Sequence, residues 1–126
     1  MYITIDEADK RPIYLQVVDE IKGLVARGEL EPGVALPPVR QVAADLGVNL
    51  NTIAAAYREL QREGLVVVRH GAGAFVSARQ VSHRNQDELR KALRANLAHL
   101  VLVGLPRNEI VAIVNEELQQ LFKNPR

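Results

Sequence analysis

Residues 39–76 read VRQVAADLGVNLNTIAAAYRELQREGLVVVRHGAGAFV, and their hydrophobic spacing decides the fold. Val39, Val42, Ala43 and Leu46 recur at helical spacing and stop at Gly47, which predicts a short helix. After Val48-Asn49-Leu50 a second helix is expected to begin near Asn51 or Thr52, two residue types that suit an N-cap. Ile53, Ala56, Tyr57 and Leu60 would form its inner face, and Gly64 would end it. Two short helices joined by a glycine-containing turn make the helix-turn-helix pattern. Leu65-Val66-Val67-Val68 is largely β-branched and reads as a strand, His70-Gly71-Ala72-Gly73 as a turn, and Ala74-Phe75-Val76-Ser77 as the returning strand. A helix-turn-helix followed at once by a hairpin is the element order of a winged helix.

Upstream, Pro12 opens a helix running to about Arg27, with Tyr14, Val17, Val18, Ile21, Leu24 and Val25 at helical spacing. Gly28 is a C-terminal cap and Pro32-Gly33 a turn. Tyr2-Ile3-Thr4-Ile5 alternates as a short edge strand would. Downstream the composition changes. Ser82 to Gln86 is polar and reads as a linker, and Asn85 and Glu88 have capping-box spacing. Leu89, Leu93, Leu97, Leu100 and Val101 then form the apolar stripe of a helix ending near Gly104. Pro106 starts another, with Ile110, Ile113, Val114, Leu118, Leu121 and Phe122 on one face. The expectation is an α+β chain: a winged helix-turn-helix domain over residues 1–78 and a two-helix hairpin over 79–126. A hairpin this small has little chance of burying both stripes alone. The stripes could pack back onto the winged helix or pair with a second copy; the second explains more, so Leu89, Leu93, Leu97, Leu100, Ile110, Ile113, Val114, Leu118, Leu121 and Phe122 are expected to serve dimerisation, as a symmetric DNA reader requires.

Composition removes several function classes. The 126 residues include no Cys, so there is no thiol nucleophile, disulfide framework or Cys-based zinc site. His83 and His99 stand in no metal-ligand spacing, and Gly71-Ala72-Gly73 lacks the Lys-Ser/Thr that makes a phosphate loop, so neither a metal nor a cofactor is expected. No Ser–His–acid arrangement or carboxylate pair suggests catalysis, and the chain is read as no enzyme. Residues 1–11 have no basic start and apolar run of a secretory signal, and no stretch is long and apolar enough for a membrane span, which predicts a cytoplasmic protein. Net charge is only +1, weak as a nucleic-acid signal. Its distribution helps: residues 1–39 hold four basic against seven acidic side chains, residues 40–80 five against three.

From Pro12 to Val76, about half the chain, the sequence resembles the GntR family of bacterial transcription factors. The likeness runs through Pro12-Ile13-Tyr14-Leu15-Gln16, Gly28-Glu29-Leu30-Glu31-Pro32-Gly33 and Leu36-Pro37-Pro38-Val39-Arg40-Gln41-Val42-Ala43. It continues in Leu46 to Ile53, Ala56-Tyr57-Arg58-Glu59-Leu60, Glu63-Gly64-Leu65-Val66 and His70 to Val76. The short two-helix tail and Asn49-Leu50-Asn51-Thr52 resemble the YtrA-like subfamily, in which the tail is mainly a dimerisation device. Membership implies a homodimeric regulator, a repressor by default, on an inverted-repeat operator, with a transporter operon as a frequent target. A fusion to an aminotransferase-like domain occurs in the wider family; the polar end at Arg126 carries no expectation of one. The chain departs from the pattern at Pro38, usually Ser, and at Leu50, usually Arg or Pro, so operator specificity does not transfer.

The first turn of a recognition helix enters the major groove. Asn49, Leu50, Asn51 and Thr52 lie there: Asn can bridge adenine, Thr can meet bases or phosphates, and Leu can touch a thymine methyl. The plainer reading of Asn51 or Thr52 is a helix cap. Arg40 is implied by the resemblance as a DNA contact, against a solvated arginine or an ion pair with Asp45. Arg58 is a backbone-contact candidate, and Tyr57 is core with a hydroxyl in reach of a phosphate. Arg69, His70, Gly71 and Gly73 form the wing tip, where Arg and His can enter a minor groove and Gly lets the backbone approach; otherwise it is an ordinary hairpin turn. The competing function is a winged helix used as a protein-interaction module, favoured by the low charge. A small-molecule effector remains open, with room for one only between subunits.

Overall fold

A computed structural model describes residues 1–78 and 86–123. The order is α1 (Ile13–Ala26), α2 (Val39–Leu46), α3 (Leu50–Arg62), β1 (Val66–Arg69), β2 (Gly73–Val76), α4 (Gln86–Leu102) and α5 (Arg107–Leu121). The chain divides into two compact units, Met1–Gln80 and Val81–Arg126. Of the expected linker Ser82 to Gln86, residues 82–85, which include His83 and the expected capping residue Asn85, fall outside the described residues, and Gln86 is the first residue of α4 rather than linker.

In the first unit, α3 packs against both α1 and α2. Its helical period turns Ile53, Ala56, Tyr57 and Leu60 inward, and Ile53, Ala56 and Leu60 are fully buried. Val17, Val18, Ile21 and Leu24 of α1 supply the opposing surface, and Val42 and Ala43 of α2 close the third side. Gly47 ends α2 with φ +67°, a left-handed conformation that costs a residue with a Cβ about 1 kcal/mol or more. The chain can therefore turn sharply from α2 into α3.

β1 and β2 pair antiparallel with Val66 opposite Val76 and Arg69 opposite Gly73. The sheet gains a neighbour that the sequence reading missed. Ala35 forms a bridge to Phe75, the Leu36 N–H donates to the Ala74 carbonyl at 2.8 Å, and the Val76 N–H donates to the Val34 carbonyl at 2.8 Å. β2 thus lies between β1 and the segment that leads into α2. Flanking prolines and a run of only four residues hid this bridge from a periodicity argument.

The N-terminal segment is not the strand that its alternation suggested. Ile3 and Ile5 pack on the core while Tyr2 and Thr4 face solvent, so the alternation is real but no neighbouring strand answers it. The segment is held instead by Gln16, the buried polar residue of this unit. Its Oε1 accepts from the Asp6 N–H at 3.0 Å and its Nε2 donates to the Arg11 carbonyl at 3.2 Å. Arg11 also bonds Asp9 and Asp19, and its side chain holds the Asp9 carboxyl below the usual range.

The second unit is α4 against α5, joined through Gly104 and Pro106. Neither helix buries a single side chain. Leu97, Leu100, Leu105, Ile110, Val114 and Leu121 are half-buried, whereas Leu89, Leu93, Ile113, Leu118 and Phe122 are exposed. No described helix is long and apolar enough to cross a membrane.

Leu60 is one of the largest fully buried side chains and seats the second half of α3. Leu60→Ala should lower stability by about 2–5 kcal/mol, read as a shifted urea midpoint at constant slope.

Candidate nucleic-acid interface

The face of α3 away from its core stripe carries Asn51, Arg58 and Arg62, all exposed. At its start, Asn49 is the N-cap, and its side-chain oxygen accepts from the Asn51 N–H at 2.7 Å. The cap thus falls on Asn49, two residues before the position expected, and α3 includes Leu50 and Asn51 as its first turn. An extended residue with a short side-chain acceptor satisfies one of the N–H groups that a helix start leaves open. The capping bond uses Oδ1, so the amide nitrogen of this exposed residue takes no part in it. Leu50 follows, about half exposed at 47%. Thr52 is half-buried beside them.

Cations sort by whether a carboxylate already holds them. Arg62 forks onto Glu59 at 2.6 and 2.7 Å, and Glu59 is held below its ordinary carboxylate range by that pairing. Lys22 of α1 meets Glu63 at 2.6 Å. Among the described residues no carboxylate engages Arg40, which stands exposed in the first turn of α2, nor Arg58 on the outer face of α3. The Arg40–Asp45 pair considered from sequence does not form. Arg69, at the end of β1, lies over the Phe75 ring, 5.0 Å from its centroid. Arg69 is two residues along the strand from Val67, which faces Phe75, and its own partner is Gly73, so the space beside the ring is open. The stack is a cation–π contact that orients the guanidinium without neutralising it.

At the wing tip, His70 and Gly71 are exposed, and Gly71 and Gly73 have φ of +78° and +107°. Such angles let the two-strand ribbon close tightly and leave no side chain over the turn. Tyr57 is not part of the outer face. It is 7% exposed and its hydroxyl donates to the Pro37 carbonyl at 2.6 Å, so the phosphate role considered from sequence has no support in its position. Burial pushes its phenol up to about 12, and it stays a donor at ordinary pH.

One unit therefore combines an exposed, asparagine-capped helix start, the carboxylate-free Arg40, Arg58 and Arg69, and a glycine-built ribbon. The family model for bacterial regulatory proteins of the gntR family matches residues 13–76. The chain belongs to the GntR family. It is 37% identical over 103 residues to the HTH-type transcriptional regulator YhcF of Bacillus subtilis, covering 80% of this chain and 85% of that one. It is 40% identical over 75 residues to the transcriptional repressor YtrA of the same organism, covering 60% of this chain and 58% of the repressor. Among solved structures, a transcriptional antiterminator from Listeria monocytogenes EGD-e superposes with a TM-score of 0.87 at 31% identity, over 97% of this chain and 93% of that one. The AraR DNA-binding domain in complex with operator ORX1 does so with a TM-score of 0.54 at 26% identity, over 61% of this chain and 96% of that domain. The chain is of the YtrA-like type, and its winged helix-turn-helix is that of a family of DNA-binding transcription regulators.

Asn49 has two separable roles, cap and candidate reader. Asn49→Ala should cost about 1 kcal/mol of stability, whereas Asn49→Asp keeps the acceptor and should melt within a few tenths of wild type. Both should bind a cognate duplex less well, because both lose the amide donor. Melting curves beside binding isotherms separate the roles; an Asp variant with wild-type affinity would make Asn49 a cap alone.

Proposed function

We propose that this protein is a cytoplasmic homodimeric repressor that reads an inverted-repeat operator with the start of α3. The observation that carries the reading is the solvent-facing start of α3, where Asn49, Leu50 and Asn51 stand with no intramolecular use for their outer edges beyond one cap. Asparagine amides suit adenine and Leu50 suits a thymine methyl, so an A·T-rich half-site is expected. Thr52, Arg40 and Arg58 would hold phosphates beside the groove. Arg69, with His70, Gly71 and Gly73 at the wing tip, would reach the neighbouring backbone or minor groove. Phosphate contacts position the reader and base contacts select the sequence. The modest net charge is compatible with this, because a dimer presents each free cation twice.

Residues 79–126 would make the dimer. Leu89 at 62% exposure, Leu93 at 55%, Leu118 and Phe122 at 68% form more apolar surface than two short helices can leave in water. α4 and α5 also leave an open groove of about 500 Å³ lined by Leu97, Val101, Ile110 and Val114. A second copy of the tail, carrying the same exposed leucines, is the occupant of matching chemistry, and a two-fold interface is self-complementary by nature. A transporter operon as the target is an expectation of the subfamily resemblance alone, and an effector would act by shifting the two copies.

Selection from random duplex DNA tests the reading function. An enriched inverted repeat, with affinity falling steeply as salt rises, is the expected result. Weak binding with no enriched sequence would instead favour a winged helix that serves a protein partner. For the tail, Leu93→Glu should convert dimer to monomer in sedimentation and weaken binding to the full repeat while sparing half-site affinity; a variant that remains dimeric would place the interface elsewhere.

A further inference from the structure

The start of α2 has no anchor of its own. Its N-cap is Pro38, which makes no side-chain cap bond, and no acidic side chain stands in the first turn. That turn nevertheless holds Arg40, whose usefulness depends on where the turn sits. Three connections converge just upstream of it. Leu36 is buried, and its N–H donates to the Ala74 carbonyl of β2 at 2.8 Å, which ties the segment to the wing. Pro38 leads directly into α2. Between them, the Pro37 carbonyl accepts from the Tyr57 hydroxyl at 2.6 Å, a reach from the middle of α3. Consecutive prolines leave this segment few backbone states, so a bond to one carbonyl fixes its neighbours as well.

We propose that Tyr57 is a positioning residue of the DNA-binding face, its hydroxyl holding the start of α2, with Arg40, in register with α3 and the wing. The inference rests on the operator-binding reading above. It assigns no DNA contact to Tyr57, because the ring is buried and the hydroxyl proton already has its acceptor. Its consequence is one of geometry: specific recognition needs Arg40, the α3 readers and the wing in a fixed arrangement, whereas loose binding to any duplex needs only the charges.

Tyr57→Phe removes the hydroxyl and keeps the ring, so the core stays filled. The full-length wild type, Tyr57→Phe, Arg40→Ala and the double variant would be titrated against the selected operator and a scrambled duplex over a range of salt, with folding checked by circular dichroism. Tyr57→Phe should lose roughly three- to tenfold in operator affinity, the effect of one net hydrogen bond. Its affinity for scrambled duplex should equal wild type. In the Arg40→Ala background the loss should shrink, since residues acting through one another are not additive. Full additivity, equal loss on both duplexes, or unchanged operator affinity would each overturn the proposal. A wild type that fails to distinguish the two duplexes defeats the operator reading and this inference together. Discrimination by wild type and Tyr57→Phe alike defeats this inference alone.

Discussion

The inner face of α3 consists of Ile53, Ala56, Tyr57 and Leu60, none more than 7% exposed, and the rest of the first unit is arranged around it. A helix of 3.6 residues per turn can bury only about one face, and that burial fixes which residues look outward. With Ile53 and Ala56 locked against α1 and α2, Asn51 and Arg58 have no choice of direction. The outward face of α3 is in this sense the complement of its core. Losing a buried leucine would loosen a helix and, with it, the orientation of every side chain on the other side.

Two kinds of polar bond then refine what burial leaves free. Gln16 closes the N-terminal segment onto α1 with one acceptor and one donor, and Tyr57 ties α3 to the segment before α2. Both groups are buried and both are satisfied, which is the condition under which a polar side chain in a core specifies geometry without destabilising it. The exposed ion pairs play a different part. Arg62 with Glu59 and Lys22 with Glu63 contribute little to stability in water. Their effect is to neutralise two cations near α3, while Arg40, Arg58 and Arg69 keep their charge unpaired by any carboxylate among the described residues.

Much of this was legible in the sequence because it depends on local periodicity. The apolar spacing from Val39 to Leu60 located both helices, and Gly47 and Gly64 located their ends. Position failed where a contact came from far along the chain. The Asn49 cap lay two residues before the expected start, because Asn49, Asn51 and Thr52 are all competent caps and only the backbone decides among them. The bridge that Ala35 makes to β2 was invisible, since four residues between Pro32 and Pro37 carry no period. The Tyr57 hydroxyl bond spans twenty residues and has no signature in the sequence. Ile3 and Ile5 gave a correct in–out pattern and a wrong element, because alternation reports which side is dry and not whether a strand lies alongside.

The tail shows the same logic with an opposite outcome. Its two stripes were read as one face per helix, yet α4 and α5 together leave Leu89, Leu93, Leu118 and Phe122 exposed while only half-covering Leu97, Leu100, Ile110 and Val114. Two helices have too little mutual surface to bury residues on more than one flank, so a third and fourth helix are needed to complete a core. On the proposed reading the partner's tail supplies them, and the core of the second unit exists only in the dimer. Tail folding, dimerisation and operator affinity then become one linked equilibrium. Dilution would weaken all three together, and a molecule that wedges the tails apart would release DNA without touching α3.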